Sequence, residues 1–249
     1  MSEIFLVARD LQKSFNSQKA VSGVSFTIQK QEIFGLLGPN GAGKTTTIRM
    51  LATILVPDQG DVTIGGHSVR REAPAVRRLI GVCPQELALY EDLSAFENLV
   101  FFGRMVGLGN REARTQATDY LDLTGLAERA KGRVSKYSGG MKRRLNLAIA
   151  LMGHPEMIFL DEPTVGIDPQ SRNNIYDTIL NLRDKGMTVL YTTHYMEEAN
   201  HLCDRIAIMD GGQIIAMDTP LNLRKQIGPP EQVTLEDVFL KMTGRSLRD

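Results

Sequence analysis

The period of apolar and polar positions changes along this chain, and the changes mark its elements. Ile4 to Ala8, Ser22 to Ile28 and Glu32 to Leu37 alternate or run apolar, as strands do, and the polar stretch Gln29 to Gln31 separates the last two as a turn. After Gly43 the spacing becomes helical through KTTTIRMLATIL, until Pro57, Asp58 and Gly60 end the unit; short strands follow near Asp61 to Ile64 and Leu79 to Val82. From about Glu86 helices take over. Ser94 and Glu97 have capping-box spacing, and Phe96, Leu99, Val100 and Met105 line one helical face. A second helix is predicted from about Asn110 to Leu123, and a third after Gly140 with Leu145, Ala148, Ile149 and Met152 apolar.

Beyond Pro155 strands and helices alternate again. A strand is predicted at Met157 to Leu160, a helix after Pro169, a strand at Thr188 to Thr193, a short helix near Met196 to Leu202 and a strand at Ile206 to Met209. Asp210 to Gln213 make a hairpin turn into Ile214 to Met217, and a last helix follows Thr234. Such an order predicts an α/β fold with a mostly parallel sheet and an inserted helical subdomain at about residues 87–152. Residues from about 228 to 249, punctuated by Gly228, Pro229 and Pro230, form a C-terminal extension, and the whole of 1–249 reads as a single domain.

Composition narrows the classes. With 42% hydrophobic residues in 249, the chain can bury a substantial core, which excludes a disordered or fibrous protein. Lysine plus arginine equals aspartate plus glutamate, 29 of each, so the global positive field of a nucleic-acid binder is missing and no nucleic-acid partner is expected. The local cluster Lys142, Arg143 and Arg144 reads as a solvated helix face in preference to a polyanion site. Cys83 and Cys203 lie far apart without metal-ligand spacing, as expected of ordinary thiols in a reducing compartment. MSEIFLVARD lacks the pattern of a signal peptide, and no apolar run approaches the roughly 18 residues of a spanning helix. A cytoplasmic protein is expected, whose work at any membrane goes through another chain.

Three segments carry candidate chemistry. GPNGAGKTT, from Gly38 to Thr46, fits G-x-x-x-x-G-K-[ST] between a strand and a helix: Gly38, Gly41 and Gly43 let backbone amides close around phosphate, Lys44 reaches the β and γ phosphates, and Thr45 offers a hydroxyl to Mg²⁺. MIFLDE delivers Asp161 and Glu162 to a strand end, one to bind Mg²⁺ and the other to accept a proton from an attacking water, although such a pair also occurs where a strand merely leaves a core. Ser138, Gly139 and Gly140 precede a long helix, where they suit either a γ phosphate or a simple N-cap.

GPNGAGKTT, Gln85 after Pro84, YSGGM, MIFLDEP, Gly166-Ile167-Asp168 and His194 occur in the order found in ATP-binding cassette (ABC) transporter ATPases, and the chain resembles that family along essentially its whole length. The resemblance implies the ABC ATPase fold, with an N-terminal antiparallel β subdomain beside the parallel core sheet. It implies ATP with Mg²⁺, held by the loop residues Gly38, Pro39, Asn40, Gly41, Ala42, Gly43, Lys44, Thr45 and Thr46. Phe15 matches the aromatic that stacks on adenine, Gln85 the glutamine that contacts Mg²⁺ or water, Asp168 the acid at the dimer interface, which before Pro169 also suits a helix cap, and His194 the histidine that touches the γ phosphate; Glu162 is then the base. His67, His154 and His201 read as structural.

A second copy of the chain is the implied partner, the Ser138-Gly139-Gly140 turn of each closing on ATP held by the other. The signature departs from LSGGQ at Tyr137 and Met141. YSGGMKRRL and TLEDVFLKMTG resemble the ATPase subunits of drug and antibiotic exporters, which pair with a separate polytopic membrane permease on the cytoplasmic face of a membrane. Coupling elements of the permease would dock near Gln85 to Phe96, Phe101, Phe102 and Met105, unless those aromatics are subdomain core. The alternative reading is a soluble ABC ATPase acting on nucleic acid or the ribosome.

Overall fold

The computed structural model describes residues 3–244. The chain forms two compact units, Met1–Arg77 with Thr188–Asp249, and Arg78–Met187. The first begins with β1 (Ile4–Phe15), β2 (Gln18–Gln29), β3 (Ile33–Leu37), α1 (Lys44–Leu51), β4 (Gln59–Ile64) and β5 (His67–Ser68), and α2 (Ala73–Leu79) ends this stretch. The second contains β6 (Ile80–Cys83), α3 (Ala95–Met105), α4 (Asn110–Leu123), α5 (Gly139–Ala150), β7 (Met157–Asp161) and α6 (Pro169–Asp184). The chain then returns to the first unit through β8 (Thr188–Thr193), α7 (Met196–Leu202), β9 (Arg205–Asp210), β10 (Gln213–Asp218), α8 (Pro220–Lys225) and α9 (Leu235–Thr243). Residues 245–249, the end of the expected C-terminal extension, lie outside the described residues.

In the first unit, β2, β1, β4 and β5 form an antiparallel sheet, the expected N-terminal β subdomain. Val24, Phe26 and Ile28 of β2 are buried at every second position, the mark of a sheet with one face in the core. The parallel strands behave differently. β3 pairs in parallel with β8 on one side and β9 on the other, and all of IFGLL and TVLYTT is buried, as strands covered on both faces must be. β10 closes this side as an antiparallel hairpin on β9. The two sheets meet where the rings of Phe26 and Phe34 stack at 5.3 Å, with the Arg205 guanidinium 5.5 Å from the Phe34 ring and 3.1 Å from Glu32.

In the second unit, β6 and β7 pair in parallel, and α3, α4 and α5 surround a core of Leu99, Leu121, Leu126, Val134, Leu145 and Met152. Ser94 opens α3 with the expected capping box: its hydroxyl accepts from the Glu97 amide, and the Glu97 carboxylate accepts from the Ser94 amide. Met105, expected on the apolar face of α3, is instead 71% exposed because it lies in the last turn beyond the packed stretch. α2 and α8 add to the expected elements: the first is short with Val76 as its one buried residue, and the second buries only Pro220 and Leu223, too few apolar positions to set a period. No helix among the described residues is long and apolar enough to cross a membrane.

Phe34 is fully buried at the junction of the two sheets, so Phe34→Ala is expected to cost about 3–5 kcal/mol of stability in urea unfolding. A pH dependence follows from the Ser94 cap, whose side-chain and backbone hydrogen bonds hold the Glu97 carboxyl below its ordinary value of 4.5. Because the folded value is depressed, the contribution is complete above 4.5 and is lost as pH falls through the folded value. The difference in urea midpoint between the wild type and Glu97→Gln is expected to shrink as pH is lowered below 4.5.

Candidate functional site

In the first unit, Gly38 leaves β3 at the edge where β8 also ends: Leu37 is paired with Thr193, and the Gly38 amide donates to the Thr193 carbonyl at 3.3 Å. The loop then turns back to start α1 at Gly43, whose φ of 101° is a left-handed conformation that side chains resist. This turn aims the first amides of α1 into the loop, where the helix dipole adds positive potential. Lys44 is buried, and its ammonium donates to the carbonyls of Gly38 at 2.7 Å and Pro39 at 3.0 Å, curling back over the loop. Backbone amides with one ammonium form a donor set that fits the oxygens of a polyphosphate.

His194 follows β8 directly, so the parallel pairing brings it to the same edge as the phosphate loop. Its surroundings are fixed by Glu198, a buried carboxylate that accepts from Tyr191 Oη at 2.9 Å and Thr193 Oγ1 at 2.7 Å; Thr193 Oγ1 in turn accepts from the Tyr195 amide at 2.9 Å. No sequence pattern marks Glu198, because an acid in the first turn of a helix ordinarily faces water. Phe15, at the end of β1, is 48% exposed with its ring open to a ligand. The Lys13 ammonium lies 5.8 Å from its centroid, held by Asp58 at 2.6 Å. His67 contacts Glu72 at 2.9 Å, in keeping with a structural role.

In the second unit, β7 ends in Asp161, which is buried, and Glu162 follows with a φ of 47°. A left-handed conformation is uncommon for a residue with a side chain and occurs at sites where the surrounding fold holds the strain. Gln85 lies in the segment after β6, and its Nε2 donates to Glu162 Oε2 at 3.4 Å. Asp161 and the Gln85 amide oxygen are the hard oxygens that Mg²⁺ accepts, and Mg²⁺ is typically held by few carboxylates together with substrate phosphates.

Ser138 realises its N-cap reading, its hydroxyl accepting from the Met141 amide at 3.3 Å. Ser138 and Gly139 are nevertheless exposed, with nothing within 4 Å of a Cβ placed at Gly139. Gly140 is different: a Cβ there would stand 2.1 Å from Ser171 Oγ and 2.4 Å from Ser171 Cβ, so the start of α5 sits directly on the start of α6. Asp168 caps α6 through the Ser171 amide at 2.9 Å, and these hydrogen bonds from Ser171 hold its carboxyl below the ordinary range. The two signature departures turn inward. Tyr137 belongs to the helical core, its hydroxyl donating to the Arg129 carbonyl at 2.7 Å, and Met141 packs against the same core.

The expectation of a solvated face at Lys142, Arg143 and Arg144 is overturned for the arginines. Arg143 is buried and donates from Nη1 to the carbonyls of Gln85 at 2.7 Å and Pro84 at 3.2 Å. Arg144 donates to the carbonyls of Thr124 and Gly125 at the end of α4. Both donate to backbone carbonyls, Arg143 from a buried position and Arg144 from a half-buried one. Lys142 pairs with Glu91 at the surface. Asn146, one turn past Lys142, donates to the Pro84 carbonyl at 3.2 Å and accepts from the Ala88 amide at 3.4 Å. Sequence reasoning missed Arg143 and Asn146; the signal was their place among the apolar positions Leu145, Leu147 and Ala148 of α5.

Tyr90, Phe101 and Phe102 cluster with ring centroids 4.8 to 5.9 Å apart, and Tyr90 and Phe101 are exposed at 49% and 38%. Of the two readings of these aromatics, a surface patch and a subdomain core, this exposure favours the surface.

The family model described as ABC transporter matches residues 21–165. The linearmycin resistance ATP-binding protein LnrL of Bacillus subtilis (strain 168) is 50% identical over 223 residues, covering 90% of this chain and 72% of that protein. The Nod factor export ATP-binding protein I of Paraburkholderia xenovorans (strain LB400) is 41% identical, covering 99% of this chain and 84% of that protein. A solved structure of the ATP binding subunit of an ABC transporter superposes with a TM-score of 0.85 at 27% identity, covering 96% of this chain and 99% of that one.

Neither cysteine belongs to this chemistry. Burial pushes the Cys83 thiol up to about 12, and Cys203 is raised in the same way. The folded protein at pH 8 is therefore expected to resist thiol reagents, with both cysteines labelling only on unfolding; rapid labelling of the native state would contradict the packing described.

Proposed function

Because the chain belongs to the ABC transporter family, we propose that it is the ATP-hydrolysing subunit of an exporter, acting with a separate polytopic permease on the cytoplasmic face of a membrane. One observation carries the export reading: relatives that match 90% and 99% of the chain are named for antibiotic resistance and for Nod factor export. These names favour it over a soluble role on nucleic acid or the ribosome. Both units belong to one ATP-binding domain in this reading, with the helices of about 87–152 as its helical subdomain and residues from about 228 as a C-terminal extension.

Phe15 stacks on adenine, and the amides of residues 38–46 with the Lys44 ammonium hold the β and γ phosphates. Thr45, Asp161 and Gln85 hold Mg²⁺, which when bound offsets the negative charge that builds on the departing ADP. Glu162 accepts a proton from water as the water oxygen bonds to the γ phosphorus; the bond to the bridging oxygen breaks, and ADP leaves with the electron pair. His194 supports a γ-phosphate oxygen. Ser138 and Gly139, exposed at the start of α5, serve ATP held by a second copy of the chain, with Asp168 beside them at the same interface. The aromatic patch of Tyr90, Phe101 and Phe102 supports docking of the permease.

Glu162→Gln keeps the shape of the side chain and removes the proton acceptor. It is expected to lower steady-state ATP hydrolysis by roughly 10²- to 10⁴-fold while ATP binding persists. Normal turnover by this variant would remove Glu162 from its role as base.

A further inference from the structure

We propose that Arg143 is a positioning residue for hydrolysis: it fixes the segment that carries Gln85 and thereby sets the hydrogen bond from Gln85 to Glu162. The inference rests on the reading of Gln85 and Glu162 as part of the hydrolytic machinery. It adds a residue that neither touches nucleotide nor belongs to any motif the sequence singled out for phosphate or metal chemistry.

The segment from Pro84 to Ala88 lies in no helix or strand, so its carbonyls and amides need partners from elsewhere. Those partners come from one face of α5. Arg143 Nη1 donates to the Gln85 carbonyl at 2.7 Å and to the Pro84 carbonyl at 3.2 Å. One turn along, Asn146 takes the Pro84 carbonyl on its amide nitrogen and the Ala88 amide on its oxygen, while the same nitrogen lies 3.3 Å from Cys83 Sγ. The two side chains thus tie the backbone at 84, 85 and 88 to the helix. Arg143 holds the very residue whose side chain reaches Glu162, and it holds it by the backbone, leaving the Gln85 amide free to turn only about its own side-chain bonds.

Burial explains why an arginine occupies this place. An arginine at 7% exposure is costly unless its guanidinium donors are used, and the Gln85 carbonyl, with the Pro84 carbonyl that it shares with Asn146, provides the acceptors. The same helix begins at the exposed Ser138-Gly139 turn, about a turn and a half before Arg143 at 3.6 residues per turn. Movement of α5 when its first turn meets a ligand would therefore carry the Gln85 backbone with it. The signature turn and the Gln85–Glu162 contact are two ends of one rigid piece.

The test is a double-mutant cycle on the purified protein with Mg-ATP, using Arg143→Met, Gln85→Ala and the pair. Arg143→Met is expected to lower kcat on the order of 10- to 100-fold, the cost of a misplaced catalytic group, with KM for ATP unchanged. In the Gln85→Ala background the same substitution should cost nothing further, because its effect passes through Gln85. A second readout needs no turnover: hydrogen exchange of the amides between 85 and 88 should quicken in nucleotide-free Arg143→Met. Equal losses with and without Gln85, a rise in KM with kcat intact, or unchanged exchange would each overturn the proposal. If Gln85→Ala alone leaves kcat intact, the underlying reading of Gln85 fails and the proposal falls with it, an outcome told apart by that single variant. Should Arg143→Met fail to fold, Arg143→Gln, a shorter polar side chain without the guanidinium, carries the same cycle and the same exchange measurement.

Discussion

The parallel register of β3 against β8 is the constraint on which the first unit's chemistry depends. Leu37 opposite Thr193 makes both strands end at one level, so the phosphate loop and His194 leave from the same edge. A parallel strand covered on both faces gains from every residue it buries, and neither IFGLL nor TVLYTT exposes a side chain that would let the register slip. The buried Glu198, gripping Tyr191 and Thr193, then holds the end of β8 against fraying where His194 follows. Rigid strands locate the groups; the loops only have to point them.

The second unit solves a different problem, that of holding irregular backbone in place. Here the answers come from side chains of α5. Arg143 and Asn146 take the segment after β6, Arg144 takes the end of α4, and Gly140 lets α6 approach without a side chain between them. A helix whose buried face carries arginine, asparagine and glycine gives up apolar area to gain fixed partners on three sides. That exchange suits a helix whose first turn is exposed.

Legibility followed physical cause. Where burial alone decides, the sequence was clear: α4, β8 and α7 fall where apolar spacing predicted them, and both the Ser94 and Thr234 helix starts carry capping boxes, the second adding Asp237. The phosphate loop was legible because glycines at these intervals between a strand and a helix suit little besides an anion cradle. What could not be read were side chains whose partners are backbone groups distant in sequence. Arg143 and Arg144 look like solvent-facing cations because no local pattern announces a carbonyl 58 or 20 residues away. Met105 misled in the opposite sense, since its spacing was right but its helix ran past the core before reaching it. Tyr137 and Met141 read as departures from a signature, and the helical core they fill becomes visible only once α3, α4 and α5 are packed.

The left-handed backbone at Glu162 sets fold and chemistry against each other at a single residue. A glycine would sit there without strain, and selection for stability alone would drift toward it; the proposed role as base is a reason for a glutamate to persist. The position is therefore a gauge of use. In a descendant chain that no longer used the proposed base, this is one place where relaxation of the backbone would become an advantage.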